Sequence, residues 1–125
     1  MPTEYAIRIG EIDPTNAAKW CALNTMLVPC GGLLASNLRA GKPLLVSGAT
    51  SNFGGECVAV APATGVRCVV APGRKECVLA DLEMRIGERI RTVKLTGNED
   101  DDRERMRAAA GAPIDCVMDL LPPSR

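Results

Sequence analysis

A chain of 125 residues, 46% of them apolar, is sized to fold as one domain around a real core, and no run of about twenty apolar residues is present to span a membrane. Fifteen Lys and Arg balance fifteen Asp and Glu, so no global field draws the chain to nucleic acid or to an anionic membrane, and neither is expected as a partner. There is no histidine and none of the six cysteines forms a Cys-x-x-Cys pair, which argues against zinc or another metal and removes the Ser/His and Cys/His nucleophile pairs.

In chain order, residues 4–9 alternate weakly, with Tyr5, Ile7 and Ile9 on one side, as a short strand would. Asp13-Pro14 reads as an N-cap followed by proline at the first helical position, opening a helix through Trp20, Leu23 and Leu27 that Pro29 should stop. A second short helix is expected over residues 31–38. A turn at Ala40-Gly41-Lys42-Pro43 then leads into the apolar strand Leu44-Leu45-Val46. Beyond it, a helix over residues 54–63 carries Pro62 in its last turn, where the ring should kink or shorten it. Strands follow over 67–71, 90–95 and 114–121, separated by helices over 75–86 and 98–110. In the last helix Glu99, Asp100, Asp101 and Asp102 precede Arg103, Arg105 and Arg107, an order that complements a helix dipole and reads as a solvated start rather than a metal site.

Strands alternating with helices imply right-handed crossovers and a parallel sheet. The expected architecture is α/β and three-layered, a partial doubly wound (Rossmann) sheet of about four strands in the order 3-2-1-4. Residues 1–41 form a strand and helical lead-in, and residues 42–125 the βαβαβαβ core of a single domain. The connection direction changes between the first and fourth strands, where such folds bind ligands.

The first strand runs straight into Gly48, Ala49, Thr50, Ser51, Asn52, Phe53 and Gly54, a small-residue turn ahead of a helix. Such a turn lets a pyrophosphate approach bare backbone and the helix offers its unpaired N–H groups. A dinucleotide fingerprint needs glycine at its first, third and sixth positions, here Ala49, Ser51 and Gly54, so Ser51 places a side chain where backbone and pyrophosphate should nearly touch. About twenty residues on, where an NAD-selective protein holds Asp or Glu, stand Pro72-Gly73-Arg74-Lys75. Arg74, helped by Lys75, points to a 2′-phosphate and hence to NADP(H) over NAD(H); the alternative is a solvated pair of cations after a strand. Asp119, Leu120, Leu121 and Pro122 end the fourth strand on the opposite side of the crevice.

With these pieces placed, nearly the whole chain resembles the cofactor-binding domain of the medium-chain dehydrogenase/reductase family, in its alcohol-dehydrogenase-like and quinone-oxidoreductase-like branches. The resemblance rests on Asp13-Pro14 to Trp20, Pro29-Cys30-Gly31-Gly32-Leu33, Ala40-Gly41-Lys42-Pro43 and the Gly48 to Gly54 turn. It implies that Thr50, Ser51, Asn52 and Phe53 line the pyrophosphate, Arg74 the adenosine phosphate, and Leu120, Leu121 and Pro122 the nicotinamide side. It also implies a domain truncated at both ends, without the family's catalytic domain, so no residue is assigned as catalytic. Two other readings carry weight: an atypical short-chain reductase-like dinucleotide sensor, although Tyr5 is the one tyrosine and no Tyr-x-x-x-Lys pair exists, and a non-catalytic remnant acting through other proteins. Cys116-Val117-Met118 should lie in an exposed edge strand that invites a second copy or another chain. The first ten residues lack a signal-peptide pattern. Cys21, Cys30, Cys57, Cys68, Cys77 and Cys116, each among apolar neighbours, read as small buried hydrophobes in a reducing cytoplasm.

Overall fold

The computed structural model describes residues 4, 6 and 8–122. The elements are α1 (Ala17–Ala35), β1 (Leu44–Ser47), α2 (Asn52–Val60), a 3-10 turn (Ala61–Thr64), β2 (Val69–Gly73), α3 (Glu76–Ile86), β3 (Ile90–Lys94), α4 (Glu99–Ala110) and β4 (Cys116–Asp119). All strands pair in parallel, in the order β3-β2-β1-β4. This is an α/β Rossmann-like sheet with an N-terminal helix.

The inner strands are continuous apolar runs because helices cover both of their faces. Leu44, Val46, Val69 and Ala71 are fully buried on the face shared with α1, α2 and α3, where Leu33, Cys57, Val58 and Leu82 meet them. On the other face Leu45, Val70 and Val93 pack against Met106, Ala109 and Ala110 of α4. The crossovers that move outward from β1 to β3 place α2 and α3 on one face, and the return to β4 carries α4 to the other, as crossovers of one hand require. β4 alternates instead: Cys116 and Met118 are half-buried, whereas Val117 is 59% exposed on the face that α4 leaves open.

The boundaries around α1 differ most from the sequence reading, and no separate helix forms over residues 31–38. Helix α1 starts at Ala17, after a turn in which the Asp13 carboxylate accepts the N–H groups of Thr15 and Asn16 at 2.7 and 3.0 Å. Asp13 thus caps a turn one step ahead of the helix. Pro29 does not stop α1: the helix runs on to Ala35 with Pro29 and Leu33 as its two buried residues. One turn along, Gly32 sits so close to β4 that a Cβ there would lie 2.9 Å from Met118 Cε. Burial against the sheet outweighs the cost of about 3 kcal/mol that an interior proline imposes. Pro62 behaves as expected, since α2 ends at Val60 and a 3-10 turn follows. The strand expected over residues 4–9 rests on Tyr5 and Ile7, which lie outside the described residues.

The cysteines divide. Cys57 and Cys68 are buried, Cys30 and Cys116 half-buried, but Cys21 and Cys77 are exposed, and all six are free thiols. Apolar neighbours in the chain do not place a helical side chain inward; Cys21 and Cys77 fall on the outer faces of α1 and α3. Burial lifts the Cys57 thiol to about 11, with Cys30 and Cys116 nearby adding to the shift, which keeps it protonated and unreactive.

Candidate functional site

The turn after β1 is built by two glycines with different tasks. Gly48 takes a positive φ of 79°, which turns the chain off the strand tip. Gly54 lets α2 lie against that tip: a Cβ on it would fall 1.9 Å from the Gly48 carbonyl oxygen. Between them Ser51 is the N-cap of α2. Its N–H and its hydroxyl both donate to the Gly48 carbonyl, at 2.9 and 2.7 Å, and its Oγ accepts the Gly54 N–H at 3.1 Å. The side chain therefore takes up one of the helix N-terminal donors that a bound anion would otherwise use.

Beside this turn, over the tips of β1, β2 and β3, lies a cavity of about 490 Å³ lined by Gly48, Thr50, Gly73, Arg74, Lys75, Leu95 and Leu121, among others. Gly73 brings β2 against the turn, since a Cβ there would lie 2.8 Å from Thr50 Cγ2 and 2.9 Å from Leu79 Cδ2. The nearest acid in sequence, Glu76, is engaged by Lys94, with Nζ 3.0 Å from Oε2. Arg74 and Lys75, both exposed, have no ion-pair partner among the described residues.

Apart from Leu120, the sequence-predicted residues fall into three groups. Gly48, Thr50, Arg74, Lys75 and Leu121 share the cavity. Thr50 also lines a second one of about 310 Å³, together with Ala49, Ser51, Asn52 and the α3 residues Asp81 and Arg85. Gly54 is buried as a packing residue, and Phe53, 42% exposed in the first turn of α2, lines neither cavity described here.

On the β4 side the chain closes on itself. The Leu120 N–H donates to the Ser47 carbonyl at 3.1 Å, carrying the β1–β4 ladder one step past the strand. A Cβ on Gly48 would lie 3.2 Å from both the Leu120 carbonyl carbon and Leu121 Cδ2. The Leu121 N–H is held in turn by Asp119 Oδ1 at 3.2 Å.

Two further features were not read from the sequence. Leu95 lines the cavity because its N–H pairs with the Gly73 carbonyl at 2.8 Å, extending β3 to the level of Arg74. The loop that follows is fixed by Asp102, which is buried rather than solvated as its acidic neighbours suggest. Asp102 Oδ1 accepts from the Thr96 N–H and hydroxyl, both at 2.8 Å, and Oδ2 accepts from the Gly97 N–H at 3.1 Å. The Thr96 N–H leads in holding this carboxyl below its ordinary range, against the cost of burial. A helix position facing inward at the fourth residue after the cap Asn98 was the available signal. Among the described residues no cluster of three or more His, Cys, Asp or Glu is placed to hold a metal, and no helix is long and apolar enough to cross a membrane.

No protein-family model and no curated protein matches this chain. Solved structures do. The crystal structure of AibC is 23% identical with a TM-score of 0.56, over 78% of this chain and 27% of that one. A probable oxidoreductase from Mycobacterium abscessus is 24% identical with a TM-score of 0.51, over 74% of this chain and 28% of that one. The chain spans about a quarter of the length of these structures. At such identities the likeness establishes the Rossmann-like fold.

Proposed function

We propose that this chain is a nucleotide-binding domain of the medium-chain dehydrogenase/reductase type, binding NADP(H) weakly and in preference to NAD(H). The observation that carries the reading is the pair Arg74 and Lys75, without ion partners among the described residues, at the tip of β2 on a glycine-floored cavity. An acid there would accept hydrogen bonds from ribose hydroxyls; a guanidinium and an ammonium instead suit a 2′-phosphate. The fit to the rest of a dinucleotide is poorer, because Ser51 occupies a donor of α2 and Leu120 and Leu121 lie on Gly48. Weak affinity follows from both. The likeness to a probable oxidoreductase supports the assignment at the level of fold.

A bound dinucleotide would supply hydride chemistry at its nicotinamide ring. The residues here would hold phosphates; none is assigned to position a substrate or move its proton, so the chain alone is not expected to reduce alcohols or quinones. The reading is tested by the thermal midpoint with each cofactor, since a ligand that binds only the folded state raises it, by about 2.7 kcal/mol of stability at a hundredfold excess over Kd. NADPH should raise the midpoint more than NADH does, and Arg74→Ala should erase the difference. A larger rise with NADH, or an unaltered response in Arg74→Ala, would contradict the proposal.

A further inference from the structure

Resting on that reading, we infer that the cavity is built for half of the dinucleotide: its ligand class is an adenosine bisphosphate carrying a 2′-phosphate, and Leu121 is the residue that shuts out the other half. The cavity reaches from the turn at Gly48 and Thr50 across β2 to Leu95, with both cations at the β2 tip and Leu121 at its margin. Its volume of about 490 Å³ lies in the lower part of the roughly 300–1,000 Å³ range of small-molecule sites. A phosphate near Arg74 and Lys75 and another near the turn span this space.

Continuation past the second phosphate meets the chain itself. Leu120 is pinned to Ser47 by a backbone hydrogen bond and Leu121 to the Asp119 carboxylate, so the segment resting on Gly48 is held by two bonds of its own. Independently, the Gly54 N–H is taken by Ser51 Oγ, which removes a donor that would reward a bridging pyrophosphate. The nicotinamide half therefore adds little binding energy, and fitting it requires the Leu121 side chain to leave Gly48.

Calorimetric titration of the whole chain with adenosine 2′,5′-bisphosphate, NADPH and nicotinamide mononucleotide decides the matter. The bisphosphate should bind within about threefold of NADPH, and the mononucleotide not at all. Leu121 is 58% exposed, so Leu121→Ala should leave the fold intact. That variant should tighten NADPH by roughly tenfold more than it changes binding of the bisphosphate. If NADPH binds the unaltered chain more than about tenfold tighter than the bisphosphate, the half-site is overturned while the NADP(H) reading stands. If Leu121→Ala leaves NADPH unchanged, the role given to Leu121 is overturned. Failure of both the bisphosphate and NADPH to bind overturns the inference and the proposed function together.

Discussion

The two sides of the crevice descend from the same strand tip and end differently. On the β2–β3 side Gly73 lets β2 close on Thr50, and beyond it two exposed cations and Leu95 surround open space. On the β4 side Leu120 continues the ladder, and its backbone together with the Leu121 isobutyl group fills the space above Gly48. The difference teaches that a phosphate-binding turn specifies where a ligand begins, not how far it reaches. The neighbouring strands set that limit through the residues just past their ends.

The largest break comes at the glycine common to both sides. In Gly54→Ala the new methyl meets the Gly48 carbonyl, and both partners are backbone that cannot swing aside. Overpacking of this kind costs more than about 3 kcal/mol, a large share of the roughly 5–15 kcal/mol that holds a domain together. Chemical denaturation should show α2 and the sheet destabilised together, with binding lost as a consequence. Stability near that of the parent would mean that the turn is not packed as described.

A smaller effect is expected at Asp102, which holds the loop after Leu95 and so touches only the cavity side. Its carboxyl titrates below the ordinary range because the folded chain donates to the ionised form, chiefly through the Thr96 N–H. A depressed folded pKa stabilises above the unfolded value and loses that contribution as pH falls through the carboxylate range. Asp102→Asn should therefore lower the thermal midpoint by several degrees at neutral pH, and the gap should narrow in acid. Asp115, lowered chiefly by its hydrogen bond from Arg39, adds a loss of the same sign to both proteins and leaves the comparison intact. A gap that widens in acid would refute the account of Asp102.

The smallest effect belongs to Ser51. Replacing an N-cap serine by glycine costs only a few tenths of a kcal/mol, and Ser51→Gly releases the Gly54 N–H for a phosphate. NADPH should bind more tightly to this variant in a fluorescence titration, with little change in stability. An unchanged affinity would mean that no phosphate passes the turn.

The strands, their parallel order and the helices between them were legible because their signals are local: apolar runs, the turn at Ala40 to Pro43 and Pro62 closing α2. The cations at Arg74 and Lys75 were legible by their distance from the turn, and the structure brings them to the same cavity as Gly48. What the chain did not announce is tertiary. Pro29 carries a local stop signal, yet Gly32 against Met118 binds the helix to the sheet on its far side. Leu120 and Leu121 read as lining for a ligand, and only the register of β4 on β1 shows them resting on Gly48. Asp102 differs from three acidic neighbours solely by the direction it faces.

The most direct test of the divided crevice is a residue-by-residue map of backbone amide shifts as adenosine 2′,5′-bisphosphate is added to isotopically labelled protein. The account predicts perturbation of Gly48, Thr50, Gly73, Arg74, Lys75 and Leu95 on the cavity side, with Cys116, Val117 and Met118 of β4 unmoved. Shifts centred on β4, or confined to the second cavity around Asn52, Asp81 and Arg85, would contradict it.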